Sequence, residues 1–161
     1  MKTVLITGCS DGGIGAAAAR AFQENGYHVF ATARTTSKMS SLSKLSNVTT
    51  LGLDVTNEPS ISNAVKAVAD KTGGKLDVLC NNAGAPLMMP ALDTTLEKAK
   101  RMFDVNLWGV VAVTNAFAPL VIEAKGTIAT TGSIAGEINI PFYSEFGKHV
   151  FLLGPKPGEL E

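Results

Sequence analysis

The chain has 161 residues, 45% of them hydrophobic and 17% charged, with 14 basic against 14 acidic side chains. That length holds one domain with a real core and is too short for two. The even charge balance argues against a nucleic-acid or anionic-membrane partner. Two cysteines, Cys9 and Cys80, make no disulfide framework and point to a reduced, cytoplasmic setting. The opening MKTVLITG is apolar but runs straight into a glycine turn, so it reads as a strand and not a signal peptide. No stretch reads as long enough to span a bilayer.

Five apolar runs of strand length follow in order: KTVLIT (2–7), YHVFATA (27–33), VTTLGL (48–53), LDVLCN (76–81) and GTIATT (126–131). Being apolar on both faces, they predict strands buried on both sides. Between them, AAAARAFQENG (16–26), a short polar segment at 36–46, PSISNAVKAVADKTGG (59–74) and a long stretch from about 93 to 124 predict helices. Asn25-Gly26 and Gly73-Gly74 are ordinary helix stops. Strands alternating with helices imply a doubly wound α/β domain with a parallel sheet and right-handed crossovers.

The turn TGCSDGGIG (7–15) joins the first strand to the first helix. Glycines let backbone approach a pyrophosphate, and a helix N-terminus offers unpaired N–H groups and a positive dipole end. A plain turn is the blander reading; the position between strand one and helix one favours phosphate binding.

TGCSDGGIG, LDVT (53–56), NNAG (81–84), the VN of FDVNLWG (103–109) and TGSIAG (131–136) match in order the motifs of the short-chain dehydrogenases/reductases. The resemblance covers residues 1–146, with the subgroup of hydroxysteroid dehydrogenases and fungal acyl-dihydroxyacetone-phosphate reductases the most similar. It implies a Rossmann-like sheet in the order 3-2-1-4-5. The glycine turn is one residue longer than the family's common form, so Gly8, Gly13 and Gly15 are the natural matches and Gly12 the insertion. The resemblance further implies that Ser10 and Ile14 of this turn, Asp54 and Val55 beside the adenine, and Asn82, Ala83 and Gly84 line a cofactor groove. Arg34 stands at the end of the second strand, where an acid would hold an NAD ribose. A guanidinium there suits a 2′-phosphate, so NADP(H) is the expected cofactor. A solvated surface arginine is the alternative.

In the family a tyrosine moves the proton, a lysine one helical turn later lowers its pKa, a serine polarises the carbonyl and an asparagine supports a water relay. Ser133 and Asn106 match the last two. Tyr143 and Lys148 supply the right residue types at a spacing of five, which places them about 140° apart on a helix. Counting from Ser133 through Pro141-Phe142 instead puts Phe146 at the tyrosine position and Val150 at the lysine position. Either the segment is rebuilt around Tyr143 and Lys148, or the pair is missing in register.

The family pattern ends near residue 146, so the reading expects a domain over 1–146, truncated after the fifth strand, and a divergent tail over 147–161. A sheet edge left open there, with the long helix, leads to an expected homo-oligomer. The expected function is NADP(H)-dependent chemistry on a carbonyl or hydroxyl of a small, largely apolar molecule, with altered catalysis. Non-redox carbonyl chemistry or a binding role without turnover are the alternatives. No metal site is expected.

Overall fold

The computed structural model describes residues 1–133. Tyr143, Phe146, Lys148, Val150 and the boundary after residue 146 lie outside the described residues.

The five apolar runs form parallel strands β1 (Thr3–Ile6), β2 (His28–Ala33), β3 (Val48–Gly52), β4 (Val78–Asn81) and β5 (Thr127–Thr130), hydrogen-bonded in the order β3-β2-β1-β4-β5. Helices α1 (Ile14–Glu24), α2 (Glu58–Thr72), α3 (Leu96–Phe103) and α4 (Gly109–Glu123) connect them. Successive side chains of a strand leave opposite faces. Val4 and Ile6 therefore pack with Val29 and Ala31 beneath Ala16 and Ala19 of α1, and Met39 and Leu42 close that layer. Leu5 and Phe30 leave the other face and meet Ile61, Ala64 and Val68 of α2 and Val113 and Phe117 of α4. Truncating Phe30 or Phe117 to Ala in such a layer costs about 3–5 kcal/mol.

Both outer strands are less covered than the apolar runs predict. β3 and β5 are mostly half-buried, because each has only one strand neighbour among the described residues.

Helix ends follow their local chemistry. The Asn57 side chain accepts from the Ser60 N–H at 2.9 Å to open α2, and Gly73 in the left-handed region closes it. Thr95 accepts from the Lys98 N–H to open α3. The polar segment expected as a helix over 36–46 holds only a short 3-10 turn, Thr36–Met39. Met39, at the end of that turn, and Leu42, beyond it, are the segment's buried apolar side chains.

The long stretch also differs from expectation. A 3-10 turn, Ala91–Asp93, precedes α3, and a π-helical turn, Asp104–Trp108, joins α3 to α4. Helix thus runs unbroken through Gly109 and Pro119. The resulting Leu96–Glu123 run is, by length and composition, apolar enough to cross a bilayer, which corrects the expectation that no stretch is. Here Val113, Phe117, Leu120 and Val121 of this run are buried in the core cluster.

Candidate functional site

From β1 the chain moves outward to β2 and β3, then crosses back to place β4 on the other side of β1. The loops after β1 and β4 therefore diverge and leave a crevice at the carboxyl ends of the strands. A cleft of about 550 Å³ occupies that place.

Its floor is a backbone junction. The buried Thr7 hydroxyl, at the end of β1, accepts from the N–H groups of Asn82 and Ala83, each at 2.9 Å. In return the Asn82 amide donates to the carbonyls of Thr7 at 2.8 Å and Gly8 at 3.1 Å, and accepts from the Thr131 hydroxyl at 3.3 Å. One side chain thus ties the ends of β1, β4 and β5. Gly8 has φ +76°, and a Cβ on it would stand 2.8 Å from the Ala83 Cα, so only glycine fits. A Cβ on Gly15 would run into the Gly8 carbonyl. The expected insertion, Gly12, has φ +80° and open space around it.

Gly13 caps α1 without any side-chain hydrogen bond, unlike the heads of α2 and α3. The first turn of α1 therefore offers backbone N–H groups and its dipole end beside Gly8, Ser10 and Ile14, which line the cleft. Ile14 is largely exposed there. At the other end stand Arg34, exposed, with Asp54 and Val55. The Asp54 carboxylate accepts from the N–H of Thr56 at 3.0 Å and its hydroxyl at 2.7 Å. Those bonds, with the nearby Arg34 charge, hold its carboxyl below the usual carboxylate range.

Ser133, three residues past β5, lines the same cleft together with Asn82, Ala83 and Gly84. Gly13 and Gly15 lie behind the lining, as cap and packing contact. Asn106 also stands behind the wall, in the middle of the π-helical turn. Its side chain accepts from the Ala85 N–H at 2.8 Å and donates to the Ala85 carbonyl at 3.0 Å. Both ends of its side-chain amide thus hold the loop after β4. A π turn inserts one residue into a helix and is frequent at functional sites; here it presents Asn106 to Ala85.

Sequence reasoning missed Thr7 as a site residue, although a polar residue closing the apolar VLI run is a signal for it. It also missed Val105 and Pro86, which line the cleft and carry no such signal.

Both cysteines are free thiols. Burial pushes the Cys9 thiol up to about 12, which leaves it protonated and unreactive. A larger hollow, about 700 Å³, lies at the amino ends of the strands among His28, Lys71, Lys75 and Asp77. It lacks the crossover point and the helix N-terminus, so the smaller cleft is the candidate site. Among the described residues no group of three or more potential ligands gathers to hold a metal.

A parallel sheet in this order, with its cleft at the crossover and an uncapped helix head beside it, defines a dinucleotide-binding α/β domain. The family model for short chain dehydrogenase matches residues 2–147, and the chain belongs to that family. It is 47% identical over 138 residues to the short-chain dehydrogenase cctT of Talaromyces islandicus, covering 86% of this chain and 49% of the relative. It is 43% identical over 145 residues to the NADPH-dependent 1-acyldihydroxyacetone phosphate reductase of Schizosaccharomyces pombe, covering 90% and 49%. The crystal structure of a short-chain dehydrogenase from Streptomyces avermitilis superposes with a TM-score of 0.81 at 28% identity, over 91% of this chain and 54% of that one. The chain spans about half the length of the curated relatives it matches.

Proposed function

We propose that the chain binds NADP(H) in the cleft and serves a dehydrogenase or reductase acting on a carbonyl or hydroxyl of a small, largely apolar molecule. The observation that carries this reading is Arg34, exposed at the end of β2 on the rim of the cleft, where a guanidinium pairs with a 2′-phosphate. The NADPH dependence of the fission-yeast relative supports it. The residues present fit the cofactor: an uncapped helix head for the pyrophosphate, glycines that admit close backbone contact, and a cation at the ribose end. When bound, the cofactor supplies or accepts a hydride. The α1 head and Arg34 hold its charged groups, the Ser133 hydroxyl donates to the substrate oxygen, and Asn106 fixes Ala85 in the wall.

NADPH and NADH titrated against wild type and Arg34→Ala test this. NADPH is expected to bind wild type at least tenfold more tightly than NADH, and the substitution to abolish the difference. Equal affinities in wild type would overturn the NADP assignment.

A second reading follows from the register of Phe146 and Val150 with the proton-transfer positions. Phenylalanine keeps the ring without the hydroxyl, and losing a general acid lowers the rate about a hundredfold to ten-thousandfold. Phe146→Tyr with Val150→Lys is then expected to raise NADPH oxidation with a diketone, and Tyr143→Phe to change little. Loss of substantial activity in Tyr143→Phe would instead assign the acid to Tyr143. Turnover without cofactor would point to non-redox carbonyl chemistry, and no turnover to a binding role.

The homo-oligomer and the cytoplasmic setting belong to the same reading. Phe103, Leu107, Trp108 and Val111 recur at helical spacing and are exposed along the Leu96–Glu123 run, which supports self-association. The two free thiols suit a reducing compartment.

A further inference from the structure

The glycine turn carries an acidic residue that neither the phosphate-binding logic nor the packing of α1 requires. Asp11 is exposed, one residue past Ser10 of the cleft, on the turn between β1 and α1. It is bound on every side to the connection that follows Arg34. Its N–H donates to the Lys38 carbonyl at 2.7 Å. One carboxylate oxygen accepts from the Ser40 hydroxyl at 3.0 Å and the Ser41 N–H at 3.3 Å, and the other accepts from the Ser41 hydroxyl. These partners are 27 to 30 residues away in sequence, so the contact is a tertiary strap and not a local turn.

The strap joins two parts of the cleft rim with different duties. On one side is the pyrophosphate turn; on the other is the segment carrying Arg34 and Lys38. That segment has few other anchors: Met39 and Leu42 root it in the core, while Arg34, Thr35, Thr36, Ser37 and Lys38 are all exposed. An exposed arginine pays for each hydrogen bond with side-chain freedom, so its usefulness depends on how firmly its backbone is held. A free carboxylate beside the ribose end would also repel a 2′-phosphate. Here its oxygens are occupied by three seryl donors.

We propose that Asp11 is a positioning residue for the phosphorylated ribose: by strapping the 38–41 connection to the glycine turn it holds the Arg34 segment in the geometry that favours NADPH over NADH. This rests on the NADP(H) reading above. Asp11 touches no cofactor in this account; it acts through the connection.

The test is the dissociation constant of NADPH and of NADH for wild type, Asp11→Ala, Asp11→Asn and the double variant Ser40→Ala/Ser41→Ala. Asp11→Ala is expected to weaken NADPH about tenfold, the equivalent of one charge-assisted hydrogen bond, and NADH by less than about threefold. Asp11→Asn keeps an acceptor oxygen and is expected to recover most of the loss. The double variant leaves the glycine turn unaltered, so it reports on the strap even if Asp11→Ala folds poorly; it also frees the Asp11 carboxylate, so it should weaken NADPH at least as much as Asp11→Ala. Equal weakening of both cofactors would make the strap a fold element only and overturn the inference. Tighter NADPH binding by Asp11→Ala would overturn it too, showing that the carboxylate repels the phosphate. A preference for NADPH that Arg34→Ala abolishes and Asp11→Ala leaves intact would sink this inference alone. Absence of any preference in wild type would sink the NADP(H) reading and this inference with it.

Discussion

At the scale of single residues, Thr7 places one hydroxyl between two backbone N–H groups at the end of β1. Both donors come from the loop after β4, and the hydroxyl is buried. Thr7→Val keeps the shape and removes the acceptor, leaving the Asn82 and Ala83 N–H groups without a partner. Each such group costs about 1–3 kcal/mol, so a stability loss of about 2–6 kcal/mol is expected from denaturant midpoints at constant m. Thr7→Ser retains the oxygen and should stay close to wild type. A Thr7→Val protein as stable as wild type would mean that water or a shifted loop satisfies both amides. The same scale shows where sequence reading stops. Gly8 was legible from the tight turn that follows the first strand, Arg34 from its place at the end of β2, and Asn82 only through the family resemblance, which says nothing of its bridge between strand ends. The roles of Thr7 and Asp11 were not legible, since their partners lie 75 and 30 residues away; a polar residue closing the VLI run marks Thr7 without naming its partners, and nothing local specifies those of Asp11.

At the scale of elements, the five strands were legible because buried parallel strands read as continuous apolar runs. Their order is what the crossovers and the family resemblance imply. The helix stops at Asn25-Gly26 and Gly73-Gly74 were legible for the same local reasons that make them stops. The π-helical turn at Asp104–Trp108 was not. Nothing in DVNLW disfavours ordinary α-helix; the turn is settled by tertiary contacts, among them the double hydrogen bond from Asn106 to Ala85 and the close fit of Gly109 against Val55. Asn106→Ala removes that bond pair. We expect a stability loss of about 1–2 kcal/mol and lost protection of the Ala85 amide in hydrogen exchange. Unchanged protection at Ala85 would show that the wall is held by something other than Asn106.

At the scale of the whole molecule, the sheet carries two covered faces and one functional end. The covered faces account for the central apolar residues, and the crossover between β1 and β4 accounts for the cleft. The exposed apolar residues on the Leu96–Glu123 run fit neither role. Self-association through them predicts a dimer or larger species by sedimentation at micromolar concentration, converted towards monomer by Trp108→Glu. A clean monomer at that concentration would contradict the assignment. Nothing in the composition foretold this stripe, since its residues read equally well as core until the sheet shows which side they face.

The central claim is that the cleft at the β1/β4 crossover holds NADP(H) with its extra phosphate on Arg34. A crystal structure of the protein with NADPH tests it most directly. The account predicts the pyrophosphate at the head of α1 beside Gly8 and Gly13, and the 2′-phosphate within hydrogen-bond distance of the Arg34 guanidinium. Density for the cofactor in the hollow at the amino ends of the strands, or a 2′-phosphate turned to solvent away from Arg34, would contradict it.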